Sequence, residues 1–175
     1  MKFAVLSDIH GNMDALNSVL EDIDQQNIKK IFVCGDLAMA GAQPAETIDF
    51  IRSLMNEKDV TVIQGNTDEM IVKATGESDD SYTPENQIMS AALKYAQSVL
   101  NDEHIEFLKN LPVQHREKIG MLEILFVHGS PRKNNEDISP NLSNEKLKEI
   151  IEGYSEDLIF CGHTHLPVIY NINGQ

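Results

Sequence analysis

Near its start the chain repeats one unit: a short apolar run stops at a polar or glycine-bearing turn, and apolar residues then recur at helical spacing. Phe3 to Leu6 is followed by Met13, Leu16, Val19, Leu20 and Ile23. Ile31 to Cys34 is followed by Ile48, Ile51, Leu54 and Met55, and Val60 to Ile63 opens the unit again. Short runs bounded by turn residues read as buried strands, and the 3.6-residue spacing reads as helix. Alternation of the two predicts an α/β fold, at least partly parallel, in which ligands bind beyond the strand ends. Asn12 is placed to cap the first helix, and Pro44 suits the first turn of the second.

The remainder is less regular. Glu77 to Tyr82 reads as an exposed acidic loop, after which Thr83-Pro84 opens a helix with Ile88, Ala92, Tyr95, Ala96 and Val99 on its apolar face. A second helix carries Ile105 and Leu108 before Leu111-Pro112. Residues 77–115 are thus expected to form a helical insertion near the site within a single domain spanning 1–175, with His104 and His115 on its surface. Met121 to Val127 is the next strand, Lys133 to Asn141 a polar loop, and Ser143 the cap of a helix bearing Leu147, Ile150 and Ile151, which Gly153 ends. Leu158 to Cys161 and Val168 to Ile172 read as strands, the second entering an Asn173-Gly174 hairpin signal with no returning strand, so a C-terminally incomplete domain is expected.

With 175 residues, 41% of them hydrophobic, one core is the expectation. Lys and Arg total 14 against 28 Asp and Glu, a formal charge of −14. That field disfavours polymeric nucleic acid and anionic membranes, whereas a small phosphorylated substrate is compatible wherever bound cations reverse the local potential. Cys34 and Cys161 read as free thiols, no run is long enough to cross a membrane, and a cytoplasmic location is expected. Self-association stays open.

The polar residues at the strand ends carry the chemistry. Asp8 and His10 follow the first apolar run, Asp36 the second, and Asn66 with Asp68 the third; His128 follows MLEILFV, and His163 with His165 follows the LIFC run. Carboxylate, imidazole and amide donors without a thiolate suit Mn²⁺, Fe²⁺, Co²⁺, Ni²⁺ or Zn²⁺ rather than Ca²⁺. There are more donors than one ion with an open position needs, and two ions about 3.5–4 Å apart fit better, an arrangement whose chemistry is phosphoester hydrolysis by an activated hydroxide. Asn12 reads as a helix cap or a phosphate contact, and Arg132 as a bidentate phosphate ligand or a solvated loop residue.

The ordered set Asp8-x-His10, Gly35-Asp36, Gly65-Asn66-x-Asp68, His128-Gly129 and Gly162-His163-x-His165 resembles the calcineurin-like metallophosphoesterases, most of all the compact bacterial and archaeal phosphodiesterases related to diadenosine tetraphosphatase. The resemblance implies an α/β/β/α sandwich of two mixed sheets with the site on one rim. It implies one ion on Asp8, His10 and His165, another on Asn66, His128 and His163, and Asp36 bridging them, with manganese the leading candidate. It also implies that Asp68 orients a catalytic group. Thr67 stands where many members carry a proton-donating histidine, so this position is expected at the substrate, and good leaving groups are expected to be favoured. The implied activity is hydrolysis of phosphodiesters or dinucleoside polyphosphates by a hydroxide that bridges the two ions; the alternatives are a phosphomonoesterase, a protein phosphatase, or a non-catalytic scaffold such as the retromer subunit of this fold.

Overall fold

In the computed structural model, residues 2–76 and 87–172 are described. The polar stretch 77–82, Thr83-Pro84 and the Asn173-Gly174 signal lie outside them. Three strands, β1 (Phe3–Leu6), β2 (Lys30–Val33) and β3 (Asp59–Val62), pair in parallel in the order β1-β2-β3. They are joined by α1 (Met13–Gln25) and α2 (Pro44–Glu57), and β3 runs on into α3 (Asn66–Gly76). After α4 (Gln87–Val99) and α5 (Asp102–Asn110), a second sheet forms from β4 (Gln114–Ile119), β5 (Leu122–Val127) and β6 (Leu158–Phe160), with α6 (Asn144–Ile150) between the last two. β4 is antiparallel to β5, and β5 is parallel to β6. Among the described residues the first sheet is therefore wholly parallel, while the second is mixed.

Alternation along the strands builds the layers. Ile31 and Val33 join the core beneath the helices, with Leu16, Leu20, Ile23, Ile48, Ile51 and Leu108. The intervening Phe32, with Cys34, packs against Ile124 and Phe126 of the other sheet, and Phe32 stacks on Phe126 at 3.9 Å. A third cluster, Ile138, Leu147 and Ile150, gathers around α6. The order of layers is helices, parallel sheet, mixed sheet, α6: the expected α/β/β/α sandwich. Helix starts follow the sequence signals, since Asn12 accepts from the Ala15 amide, Pro44 sits in the first turn of α2, and Ser143 accepts from the Lys146 amide.

Five expectations need correction. Gln114–Ile119 is a strand, which its polar composition concealed. It reads as polar because ion pairs line it, Glu117 with Lys30 at 3.1 Å and Arg116 with Glu156 at 2.7 Å. His115 is accordingly not on the insertion: it lies on β4 beside the rings of Phe32 and Phe126. His104 is buried, not exposed; it closes a capping box with Asn101, and its Nε2 lies 3.1 Å from Asp49. The buried face of α4 is built on Leu93 and Ala96, whereas Ile88, Tyr95 and Val99 stay exposed. Finally, 168–172 forms no strand: Tyr170 and Ile172 pack on the α6 cluster while Ile169 faces solvent, so alternation is satisfied without a ladder.

Candidate metal centre

Both sheets present the C-terminal ends of their parallel strands to one rim, and there the five polar strand ends meet. β1 leads to Asp8 and His10, β2 to Asp36, β3 to Asn66, β5 to His128, and β6 to His163 and His165. Asp8, His10 and His165 form one compact cluster, and Asp36, His128 and His163 a second. Asn66 Oδ1 joins the second cluster, 2.9 Å from His128 Nε2. Asp36 Oδ2 stands between the two, 3.6 Å from His10 Nε2 and 3.3 Å from His128 Nε2.

The strand-to-loop turns are tight. Asp8, His10, Asp36, His163 and His165 all adopt positive φ, between 50° and 70°. Asp and His tolerate this region better than most residues, but each such position still costs of order 1–3 kcal/mol, and such strain clusters at functional sites. The loops offset it by backbone pairing: the amides of Asp8, His10 and Gly11 donate to the carbonyls of Gly35, Asp36 and Leu37 at 2.8–3.1 Å. Glycines permit this closeness. A Cβ on Gly65 would lie 2.2 Å from the Asp36 nitrogen, and one on Gly41 only 1.8 Å from the His10 carbonyl oxygen.

The donor geometry fits divalent ions. Two donor atoms on one ion at about 2.1 Å are separated by roughly 3.0 Å in an octahedron and 3.4 Å in a tetrahedron. His10 Nε2 and His165 Nε2 are 3.1 Å apart, and His165 Nε2 lies 3.2 Å from Asp8 Oδ1. Two rings are also pre-oriented. His10 Nδ1 lies 2.7 Å from the Met39 carbonyl and His128 Nδ1 2.7 Å from the Cys34 carbonyl, so each N–H donates there and each Nε2 lone pair faces the cluster. Bound there, divalent ions would supply a water-derived nucleophile at neutral pH and would neutralise phosphate oxygens.

Electrostatics among the site's own side chains point the same way. Burial disfavours charge on both Asp36 and His128, yet their mutual hydrogen bond and attraction prevail: Asp36 is held below the ordinary carboxylate range and His128 above the ordinary imidazole range.

The other anticipated residues serve different ends. Asp68 is fully buried and touches no open space. Its carboxylate accepts from the amides of Asp36, Leu37 and Gly65, all at 2.9 Å, which fixes the loop that carries Asp36. Burial, reinforced by the charge of Asp36, pushes its pKa up to about 6 against the pull of those amides. It is a positioning residue rather than a group at the reacting atoms. Thr67 is likewise buried rather than open to substrate: its amide donates to Asp36 Oδ1 at 2.9 Å, and its hydroxyl has no partner among the described residues. Arg132 is committed elsewhere, to Glu136 through two contacts of 2.7 Å and to Glu149 at 3.3 Å. Asn12 is exposed; its Oδ1 caps α1, and the residue lines a groove of about 320 Å³ that runs along β1 and α1 to Asp8.

Sequence reasoning overlooked the Met39 and Cys34 carbonyls and Asp137, whose Oδ1 lies 3.1 Å from His163 Nε2. No residue type marks a carbonyl donor, and Asp137 closes an unbroken run of polar residues, Arg132 to Asp137, in which nothing singles it out.

This site and this sandwich define a metallophosphoesterase-type fold. The chain belongs to the calcineurin-like phosphoesterase superfamily, whose domain model matches residues 1–175. An uncharacterised protein of Methanocaldococcus jannaschii is 34% identical over 172 residues, which are 98% of this chain and 65% of that protein. The chain therefore spans just under two thirds of that relative. A hypothetical protein from Pyrococcus horikoshii superposes with a TM-score of 0.78 at 27% identity, covering 90% of this chain and 67% of the other. A metallophosphoesterase from Sphaerobacter thermophilus gives 0.71 at 28% identity, covering 95% and 62%. Among the described residues, no helix is long and apolar enough to cross a membrane.

Proposed function

We propose that the chain hydrolyses phosphodiesters with two divalent transition-metal ions, manganese foremost. The observation that carries this is the convergence of seven donors from five strand ends, at mutual distances that match the edges of a coordination shell. Positive φ at five of those positions is strain of the kind that clusters at functional sites, which favours a working site over a scaffold. Asp36, with one oxygen held by the Thr67 amide and the other aimed between the two clusters, is the bridging group.

Charge favours a diester over a more highly charged substrate. Asp8 and Asp36 are carboxylates, and Arg132 is already neutralised by Glu136 and Glu149. A phosphodiester carries one negative charge, within what two divalent ions beside Asp8 and Asp36 can neutralise, whereas monoesters and dinucleoside polyphosphates bring more and would draw on side-chain cations, of which Arg132 is already paired. The groove beside Asp8 and Asn12 offers room for one ester arm.

The test is an assay of the Mn²⁺-loaded protein on bis-p-nitrophenyl phosphate, p-nitrophenyl phosphate and diadenosine tetraphosphate, beside Asp36→Asn. The diester is expected to be turned over best. The variant is expected to lose at least one ion by metal analysis and more than about 100-fold in rate, as removal of a group that stabilises charge at the reacting centre typically costs. Full turnover by Asp36→Asn with both ions retained would refute the bridge; faster monoester cleavage would refute the diester preference.

A further inference from the structure

The groove that reaches Asp8 changes character along its length. At one end stands Asp8, a donor of the first ion cluster. From there the groove follows α1 from Asn12 to Val19, a wall about 10 Å long. Leu6, Ala15, Leu16 and Val19 line this stretch, and no charged residue joins them. Among the described residues β1 pairs only with β2, which leaves its other side to border the groove. Val19 is 41% exposed and Ala15 is exposed, so a hydrocarbon chain laid here would remove apolar surface from water.

The polar side chains at the Asp8 end are already engaged. Ser7 donates its hydroxyl to the Cys34 carbonyl at 3.1 Å, Asn12 accepts from the Ala15 amide at 3.0 Å, and Asp8 accepts from the His163 amide at 3.1 Å. A sugar or base laid beyond them would press hydroxyl and amide groups against methyl groups, which costs affinity. A second phosphate fares no better. The helix that forms the wall carries Asp14, Glu21, Asp22 and Asp24 and no Lys or Arg, so a polyphosphate arm would meet repulsion with no cation on α1 to offset it. An uncharged hydrocarbon arm meets neither penalty.

We infer that the substrate is a phosphodiester with one apolar ester arm, alkyl or aryl, which lies in this groove while the phosphate sits at the ion clusters. This rests on the reading that the site hydrolyses phosphodiesters. The probes are methyl alkyl phosphates, from dimethyl to methyl octyl phosphate, competing with bis-p-nitrophenyl phosphate for the Mn²⁺-loaded protein. The methyl arm is too small to fill the groove, so only the longer arm can respond to it. The inhibition constant should fall about 2–4-fold for each methylene covered, levelling off near octyl, the length of the α1 wall. The methyl ester of thymidine 5′-phosphate should bind no better than methyl butyl phosphate. Val19→Glu and Ala15→Glu, both at exposed positions of α1, should flatten the trend by placing a carboxylate beside the chain. Inhibition independent of chain length would mean that protein, a further segment or a second copy, fills the groove, and would overturn the inference. So would a trend that survives both substitutions, or a thymidine ester that binds more tightly than methyl octyl phosphate. Each of these leaves hydrolysis of bis-p-nitrophenyl phosphate intact, whereas a protein that does not turn it over would overturn the phosphodiesterase reading as well.

Discussion

The two halves of the rim are built by different means. On the parallel sheet, Asp8, His10 and Asp36 sit on loops that are laced to one another through main-chain hydrogen bonds and locked by Asp68 beneath. On the mixed sheet, the final loop is attached more lightly: the Gly162 amide donates to the His128 carbonyl, the His163 amide donates to the Asp8 carboxylate, and His165 is 55% exposed. One half is preformed by backbone, and the other is completed by side chains. The bridging carboxylate and the His10 and His128 rings are thus held by main-chain partners, whereas the exposed His165 ring has no main-chain partner among the described residues.

The comparison is sharpest at the glycines. Gly65→Ala would push a Cβ to 2.2 Å from the Asp36 backbone nitrogen, which cannot yield without moving the bridge. A loss of about 4 kcal/mol or more is expected, at the extreme of single substitutions. Gly162→Ala meets side chains only, the Ser7 hydroxyl at 1.8 Å, Asp8 Oδ2 at 2.7 Å and Ser7 Cβ at 2.8 Å, which yield more readily than backbone, so a cost of about 1–3 kcal/mol is expected. Urea denaturation of both variants measures the difference; equal losses would mean that the two rims are equally rigid.

A smaller effect is expected from Asp68→Asn. The asparagine amide would face one of three backbone N–H donors, leaving a buried donor unsatisfied at a cost of about 1–3 kcal/mol. Metal affinity should fall with it, because Asp36 loses its fixed position. A variant of wild-type stability and affinity would show that the amides on the parallel-sheet side need no carboxylate.

The smallest concerns the Arg132–Glu136 pair, on the mixed-sheet side. Hydrogen bonding to Arg132 lowers the pKa of Glu136 to about 2. A carboxylate depressed on folding stabilises the fold above its ordinary pKa of about 4.3 and loses that contribution as pH falls toward the depressed value. The denaturation midpoint of the wild type should therefore exceed that of Arg132→Gln at pH 6, and the gap should narrow from about pH 5 downward. A gap independent of pH would assign the effect of the substitution to lost packing instead.

Much of this protein was legible in one dimension. Apolar runs that end in Asp, Asn or His announce strands whose polar ends share a rim, because parallel strands must all deliver their C-terminal ends to the same side. Caps at Asn12 and Ser143 and the proline at the start of α2 could be read directly, since each acts within a few residues of itself. What depends on distant partners could not. β4 is polar in sequence because its charges meet Lys30 and Glu156, and His104 is buried because Asp49 and its own cap satisfy both ring nitrogens. Thr67 and Arg132 have residue types that would suit a substrate, and Asp68 one that would orient a catalytic group, yet folding turns Thr67 and Asp68 onto Asp36 and its loop, and Arg132 onto glutamates. Sequence by itself determined which donors the chain owns and on which strand ends they stand. Tertiary structure alone decided which lone pairs remain open, because a hydrogen bond from a partner far along the chain, such as the Cys34 carbonyl for His128, selects the nitrogen that faces an ion.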